Sequence, residues 1–189
     1  MNETKLVAAS LLFLAACAAQ AQSSSPSATA TLRPASGSQV QGQVTFTQIS
    51  ANRVRVAGEV TGQQPGPKGF HIHEKGDCSA PDAMSAGPHF NPMNMKHGRS
   101  PTAGHTGDMG NIIFDDTGKA TISMVFDGMS VSSDAPNGIV GRAIIVHAQA
   151  DDLQTDPTGN SGGRVACGVI GLEQIGLKAA AESEPKTAR

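Results

Sequence analysis

The feature that most constrains this chain is its histidine set, because all the histidines can serve one purpose. The six are His71, His73, His89, His97, His105 and His147, and Asp108 follows three residues after His105. Imidazole is the commonest metal ligand in proteins, and a carboxylate beside histidines suits zinc. Seven candidate ligands exceed the four of one tetrahedral site. The sequence therefore predicts two metal ions, which could share one ligand.

Composition limits the core and the partners of the domain. The chain has 189 residues, six phenylalanines and neither tryptophan nor tyrosine, so Val, Ile, Ala and Leu must supply most of the core. The net charge is −2 without a basic block, which argues against nucleic-acid binding. The 22 glycines and 11 prolines indicate many turns and few long helices.

Apolar residues alternate with polar ones in three segments, at 40–46, 54–60 and 120–126. This period of two is typical of half-buried antiparallel strands, and Ser50-Ala51-Asn52 suits the turn of a hairpin between the first pair. Residues 139–146 are apolar on both faces apart from Arg142. That segment predicts a strand that is buried on both faces or lies at an interface.

Two long segments lack any period and are expected to be functional loops. The first, 76–110, is rich in Gly, Pro, Asn and His and carries four of the seven candidate ligands. A loop of this length is usually functional or disordered, so we expect metal and a disulfide to order it. The second, 148–163, is rich in Asp, Thr and Gly.

The first 21 residues resemble an export signal, with Lys5 ahead of a short apolar run. Leu14-Ala15-Ala16-Cys17 is similar to a bacterial lipobox, in which Cys17 is lipidated; the alternative is ordinary cleavage after Ala19-Gln20-Ala21. The expected location is the periplasm or cell envelope, with a lipid anchor as the link to a membrane. The expected organisation is a signal at 1–21, a flexible tether at 22–30, one domain at 31–176 and a loose tail at 177–189.

Three cysteines are present: Cys17, Cys78 and Cys167. If Cys17 is lipidated or removed, the other two can pair in an oxidising compartment, and the alternative is two buried thiols. Closing a loop of about 90 residues would contribute roughly 4 kcal/mol in the chain-entropy model. Export favours the disulfide.

Several motifs together resemble the copper/zinc superoxide dismutase family across about residues 30 to 172. They are Gly69-Phe70-His71-Ile72-His73-Glu74, Ala86-Gly87-Pro88-His89-Phe90-Asn91-Pro92, Lys96-His97-Gly98, His105-Thr106-Gly107-Asp108, Val146-His147 and the segment Gly163-Arg164-Val165-Ala166-Cys167-Gly168-Val169-Ile170-Gly171. With the export signal and the lipobox, the chain resembles an exported bacterial member of the family that is a lipoprotein. The resemblance implies an all-β fold. It would be a Greek-key antiparallel β-sandwich or flattened barrel of about eight strands with two long functional loops.

The resemblance also assigns the ligands. The implied copper set is His71, His73, His89 and His147, and the implied zinc set is His89, His97, His105 and Asp108. His89 would bridge both ions through its two ring nitrogens. The residues agree with this assignment, because His71 and His73 are two apart on a predicted strand and face the same side.

Other roles follow from the same resemblance. Asp151 would link a copper-site histidine to a zinc-site histidine, although the neighbouring Asp152 could share that role. Arg164 would guide superoxide. Arg142 lies outside the family motifs and is interpreted as structural or at an interface. The second loop lacks lysine, including at Pro157, where eukaryotic relatives carry one. We therefore expect steering to depend on Arg164 and the metal charge.

The resemblance implies dismutation of superoxide to dioxygen and hydrogen peroxide, with copper cycling between two oxidation states, zinc holding the bridging imidazole and His89 carrying a proton. The alternative function is a non-catalytic copper-binding or copper-delivery protein on the same fold. A homodimer is expected through 139–146 and 169–171, with a monomer as the alternative.

Overall fold

The computed structural model describes residues 25–98 and 104–173. The signal at 1–21, lipidation of Cys17, the start of the tether and the tail at 177–189 lie outside the described residues and stay predictions. Within the described ranges, no helix is both long and apolar enough to cross a membrane.

The described chain is built from antiparallel strands, as the sequence predicts. The strands are β1 (Ser27–Pro34), β2 (Gln41–Ser50), β3 (Arg53–Thr61), β4 (Gly66–His73), β5 (Asp108–Phe114), β6 (Lys119–Asp127), β7 (Ala143–His147), β8 (Arg164–Val169) and β9 (Gly171–Leu172). A short 3-10 helix spans Met84–Ala86 in the loop after β4. The all-β fold class is confirmed.

Eight of the strands follow one another in the order β5-β4-β7-β8-β1-β2-β3-β6, and β9 pairs with β1. Every strand pair is antiparallel. β5 and β6, the two ends of this order, pack against each other and nearly close the barrel. Closure protects strand edges that would otherwise expose unpaired backbone groups.

The ordered domain begins earlier than expected. β1 starts at Ser27, where it pairs with Thr47 of β2. The assignment of 27–30 to a flexible tether is therefore wrong. Ala28 and Ala30 point into the core while their neighbours are partly exposed, so the segment is a half-buried strand. Its Ser/Ala/Thr composition hides the alternation, because alanine contributes a small apolar signal.

The barrel interior is filled by branched aliphatic side chains and a few phenylalanines, as the composition requires. The largest fully buried side chains are Leu32, Phe46, Phe70, Ile72, Ile112, Phe114, Ile122, Met129, Ile139, Ile144, Ile145 and Ile170. Phe70 and Ile72 of β4 belong to this core. The alternation along β4 therefore turns His71 and His73 to the outer face of the barrel.

β7 is buried on both faces. Ile144 and Val146 face the barrel core, whereas Ala143 and Ile145 join a second apolar cluster with Cys167. All five residues of β7 are buried within a single chain. Residues 143–147 therefore match the doubly buried strand that the sequence predicts, and the homodimer through 139–146 and 169–171 stays a prediction.

Candidate metal centre

The histidines gather on the outer face of two paired strands. His71 and His73 lie opposite Ile145 and Ala143 of β7, and His147 ends β7 on the same face. Strand backbones fix these three side chains, because neighbouring strands hold their hydrogen-bonded register. The described parts of the segment between β4 and β5 bring His89, His97 and His105 to this face, and Asp108 begins β5. Loop 148–163 adds Asp151 beside them. We call 148–163 the second loop.

The first cluster contains the four residues assigned to copper. The nitrogens of His71, His73, His89 and His147 all lie within 4.8 Å of one another, and all four side chains are buried. Ring orientation is fixed from outside the cluster: His73 Nδ1 donates to the Gly87 carbonyl at 2.8 Å, and His147 Nδ1 donates to the Gly162 carbonyl at 3.2 Å. The Nε2 atoms of His73 and His147 are left 3.4 Å apart inside the cluster.

The second cluster contains the four residues assigned to zinc. Ligand atoms of His89, His97, His105 and Asp108 also lie within 4.8 Å of one another. Asp108 Oδ1 is 2.8 Å from His89 Nδ1 and 3.1 Å from His105 Nδ1. The Oδ2 atom accepts the backbone N–H groups of Gly98 and His105, which aims the carboxylate into the cluster.

Three buried ring nitrogens have no hydrogen-bond partner among the described residues: His71 Nδ1, His89 Nε2 and His97 Nδ1. His97 Nδ1 lies 3.1 Å from Asp108 Oδ2, but this close contact is not a hydrogen bond. A buried polar atom without a partner destabilises a fold unless something else binds it. Each of the three points into a cluster, so the residues present fit two metal ions. His89 faces one cluster with each nitrogen.

Asp151 joins the two clusters. Its carboxylate accepts from His71 Nε2 at 2.8 Å and from His97 Nε2 at 2.9 Å. These contacts leave Nδ1 of both histidines as the free ligand atom, which is how outer hydrogen bonds select a tautomer. Asn111 holds the backbone of Asp151 through two hydrogen bonds, of 2.8 and 2.9 Å. The exposed Asp152 instead binds Thr155 and Asn160 within its own loop.

Charge and burial set the protonation of the clusters. Burial, followed by neighbouring histidines and the charge of Arg164, holds the pKa of His73 and of His147 well below 6.5. Burial likewise lowers the pKa of His89 to about 4, although Asp108 opposes it. Burial would also lower the pKa of His97, but the nearby carboxylates of Asp108 and Asp151, with the hydrogen bond to Asp151, raise it to about 10.

The stability of metal-free protein should peak near pH 6.5, the histidine pKa in the unfolded chain. Below that pH, His73, His89 and His147 bind protons in the unfolded chain but stay neutral in the folded protein. The free energy of unfolding therefore falls as the pH falls. Above it, folded His97 keeps a proton that the unfolded chain has lost, and the stability this proton provides falls as pH rises toward 10. Thermal unfolding in chelator from pH 4.5 to 9.5 measures this. A midpoint that rises steadily across the range would contradict the account.

A cavity of about 1060 Å³ opens onto the first cluster, and its lining includes His73, His89, His147 and Arg164. The Arg164 guanidinium donates to the carbonyls of Ala83 and Gly87, at 2.7 Å each. The expected disulfide between Cys78 and Cys167 is confirmed, and it ties the loop that carries both carbonyls to β8. Arg164 is thus fixed at the wall of the cavity.

Arg142 has a structural role in the same wall. Its guanidinium carbon lies 3.3 Å above the centre of the Phe90 ring. The side chain donates to the carbonyls of Gly138 at 2.7 Å and Glu74 at 2.9 Å, which join three segments around the copper set. The sequence indicated a structural residue but not these contacts, because the partners are distant along the chain.

Comparison with known proteins agrees with this geometry. The family model described as Copper/zinc superoxide dismutase (SODC) matches residues 40–170. The chain belongs to the copper/zinc superoxide dismutase family. Superoxide dismutase [Cu-Zn] 2 of Brassica juncea is 45% identical over 141 residues, which cover 71% of this chain and 91% of that protein.

A solved structure supports the fold of this family member. The crystal structure of the clock protein EA4 is 43% identical, has a TM-score of 0.70, and is matched over 80% of this chain and 97% of that chain. Family membership, the two clusters and the three unpartnered nitrogens together identify copper and zinc as the cofactors of this chain.

Proposed function

We propose that the protein dismutates superoxide to dioxygen and hydrogen peroxide, with copper in the first cluster and zinc in the second. The observation that carries this proposal is the buried His89 ring. Its Nδ1 contacts Asp108 at 2.8 Å, and its Nε2 has no hydrogen-bond partner and belongs to the copper set. One imidazole between an all-nitrogen set and a carboxylate-containing set suits a redox ion beside a structural one.

Copper, when bound, supplies the one-electron chemistry by which one superoxide is oxidised to dioxygen and a second is reduced to peroxide. The chain's own residues do the rest. His71, His73 and His147 hold the site on two rigid strands, and the strand pairing preserves their geometry. His89 Nε2 can accept a proton and donate it to the reduced product while Nδ1 stays on the zinc side. Two protons are consumed for each pair of superoxide ions.

Arg164 supplies the positive charge that a small anion needs at this cavity. Its two carbonyl contacts fix the guanidinium plane and use two of its five N–H donors, which leaves donors for an oxygen of superoxide. A copper-delivery protein, the alternative function, would not need such a group beside its metal. The fixed arginine therefore favours catalysis over delivery.

Long-range steering is expected to be weak. The charged residues among those that line the cavity are Glu74, Asp82, Arg142 and Arg164, two of each sign. Asp156, the only charged residue between Asp152 and Arg164, accepts the backbone N–H of His97. Because opposite charges cancel at a distance, the protein part of the field should add little to the on-rate.

The Arg164→Gln variant should lower kcat/KM for superoxide by roughly tenfold with metal content unchanged. Arg164→Lys should recover part of the loss, because the charge returns without the paired carbonyl contacts. Arg55→Gln, which removes an equal charge from an exposed strand position, is the control.

The activity of the wild-type protein should fall only about twofold between 10 and 200 mM salt. An unchanged rate in Arg164→Gln would contradict a role of Arg164 in guiding superoxide, and a steep salt dependence would contradict weak steering.

The assembly and location of the protein are part of this proposal. Val169 and Leu172, at the end of the barrel, are 43% and 56% exposed and are apolar, which favours the homodimer through 139–146 and 169–171. A solution mass of one subunit would contradict the homodimer.

The lipobox at Leu14–Cys17 favours a bacterial envelope protein anchored through lipidated Cys17. Mass spectrometry of the mature N-terminus distinguishes lipidation from cleavage after Ala21.

A further inference from the structure

The second loop contacts the zinc set through a carboxylate that the proposed function does not use. Asp156 accepts the backbone N–H of His97 at 2.7 Å. The same oxygen, Oδ1, lies 3.9 Å from Nε2 of His105. Two of the four residues of the zinc set therefore have Asp156 beside them, and in His105 it lies at the ring nitrogen opposite the one that faces Asp108.

The loop that carries Asp156 has its own internal framework. The Asp152 carboxylate accepts the backbone N–H of Gln154 at 3.0 Å and that of Thr155 at 2.8 Å. It also accepts the Thr155 hydroxyl at 2.6 Å and the Asn160 amide at 2.9 Å. Asp152 N–H in turn donates to the Gly159 carbonyl at 2.8 Å. These contacts hold Asp156 in a defined turn although its side chain is 50% exposed.

The same loop also packs against the ring of His97. Gly159 is buried with φ +62, and a Cβ at this position would overlap Asp151 Oδ1 and lie 2.5 Å from His97 Nε2. The loop therefore touches His97 at both ends, through Asp156 at the backbone N–H and through Gly159 at the ring. Close approach of this kind restricts the ring to one position.

We propose that Asp156 is a positioning residue for the zinc site, holding His97 and placing a second negative charge behind His105. This inference rests on the proposed assignment of zinc to the second cluster. A carboxylate behind a ligating histidine orients the ring and partly balances the charge of the ion. Asp156 thereby stabilises zinc binding, and its charge serves this site rather than the steering of superoxide.

The test compares Asp156→Ala and Asp156→Asn with wild type in the purified full chain. Zinc dissociation constants come from competition with a chromophoric chelator, and copper is measured separately. Asp156→Ala should weaken zinc binding about tenfold, the lower end of the usual range for outer carboxylates, because the side chain is half exposed. Asp156→Asn should lose less, since its amide oxygen still accepts the His97 N–H. Asp116→Asn removes one charge from an exposed turn and should change nothing.

Cobalt(II) in the zinc site gives a second readout, because its visible spectrum reports ligand geometry. The spectrum should shift in Asp156→Ala and in Gly159→Ala, whose new Cβ would displace the His97 ring. Gly163→Ala, where a Cβ meets nothing within 4 Å, should match wild type.

The possible outcomes separate the two proposals. If wild type binds zinc and Asp156→Ala binds it equally, with an unchanged cobalt spectrum, the positioning role is overturned. A faster rate at low salt in Asp156→Asn with unchanged zinc affinity would also overturn it, because Asp156 would then be a steering charge. If wild type itself takes up no zinc, the proposed function fails first, and the inference fails with it.

Discussion

The His147→Ala variant is expected to lose copper binding and to fall to the background rate of superoxide decay while it keeps zinc. His147 belongs to the first cluster and not to the second. Its Nε2 faces His73 Nε2 at 3.4 Å, so truncation opens one side of an otherwise complete nitrogen set. Truncation also leaves the second cluster intact, since none of its hydrogen bonds involves His147. Metal analysis and a dismutation assay on the same sample measure both effects.

His105→Ala is the matched control for that experiment. It removes a histidine of similar burial from the second cluster only. We expect zinc to be lost while the copper set remains. A His147→Ala protein that keeps full activity would contradict the assignment of the first cluster to the redox ion. Loss of both metals from either single variant would mean that the two clusters are not separable sites.

Removing the disulfide should produce the largest loss of stability. Cys78 and Cys167 are 89 residues apart, and cross-linking a loop of this length stabilises the fold by about 4 kcal/mol through the entropy of the unfolded chain. For a chain of this size we expect the thermal midpoint of the Cys78→Ala/Cys167→Ala variant to fall by about 10 °C. Activity should fall too, because Arg164 is fixed by carbonyls of the loop that the bond holds. Calorimetry and kcat/KM check the two parts.

Wild type reduced by a thiol is the control for the double variant. Cys167 is buried in the apolar cluster with Ile145, so the alanine variant also loses some packing. Reduced wild type keeps the sulfur atoms and should show most of the same loss. A thermal midpoint that does not move on reduction would contradict a stabilising role for the bond.

The sequence was sufficient to predict the strand class and the membership of the two candidate clusters, because both signals are local or nearly so. Alternation of apolar residues predicted β2, β3 and β6 within a few residues. The histidine spacing and the family motifs indicated which side chains meet. The predicted domain starts at residue 31, after β1 has begun. The inward-facing residues Ala28 and Ala30 are small, and small side chains weaken the apolar period on which such predictions depend.

What the sequence did not predict depends on contacts between distant segments. The acceptors of Arg164 are 81 and 77 residues away, at Ala83 and Gly87. The stacking of Arg142 on Phe90 and the contact of Asp156 with His97 also join residues more than 50 positions apart. Such pairs leave no period or spacing in the sequence, since only the barrel and its two loops bring them together.

The same limit applies to the apolar stretch 139–146. Residues 139–146 are apolar on both faces, and this pattern alone cannot distinguish a strand covered by another subunit from one covered by its own loops. The second apolar cluster, formed by Ala35, Ala83, Ala86, Ala143, Ile145 and Cys167, supplies the cover here. Its members come from segments that are distant along the chain, so no local pattern predicts them.

Metal content and superoxide dismutation measured on one sample, before and after copper is removed, test the central claim most directly. The account predicts one copper and one zinc per chain, activity that disappears with copper, and recovery when copper alone is returned. Two bound metals without dismutation, or activity that survives copper removal, would contradict it. The first of these results would indicate a copper-delivery protein on the same fold.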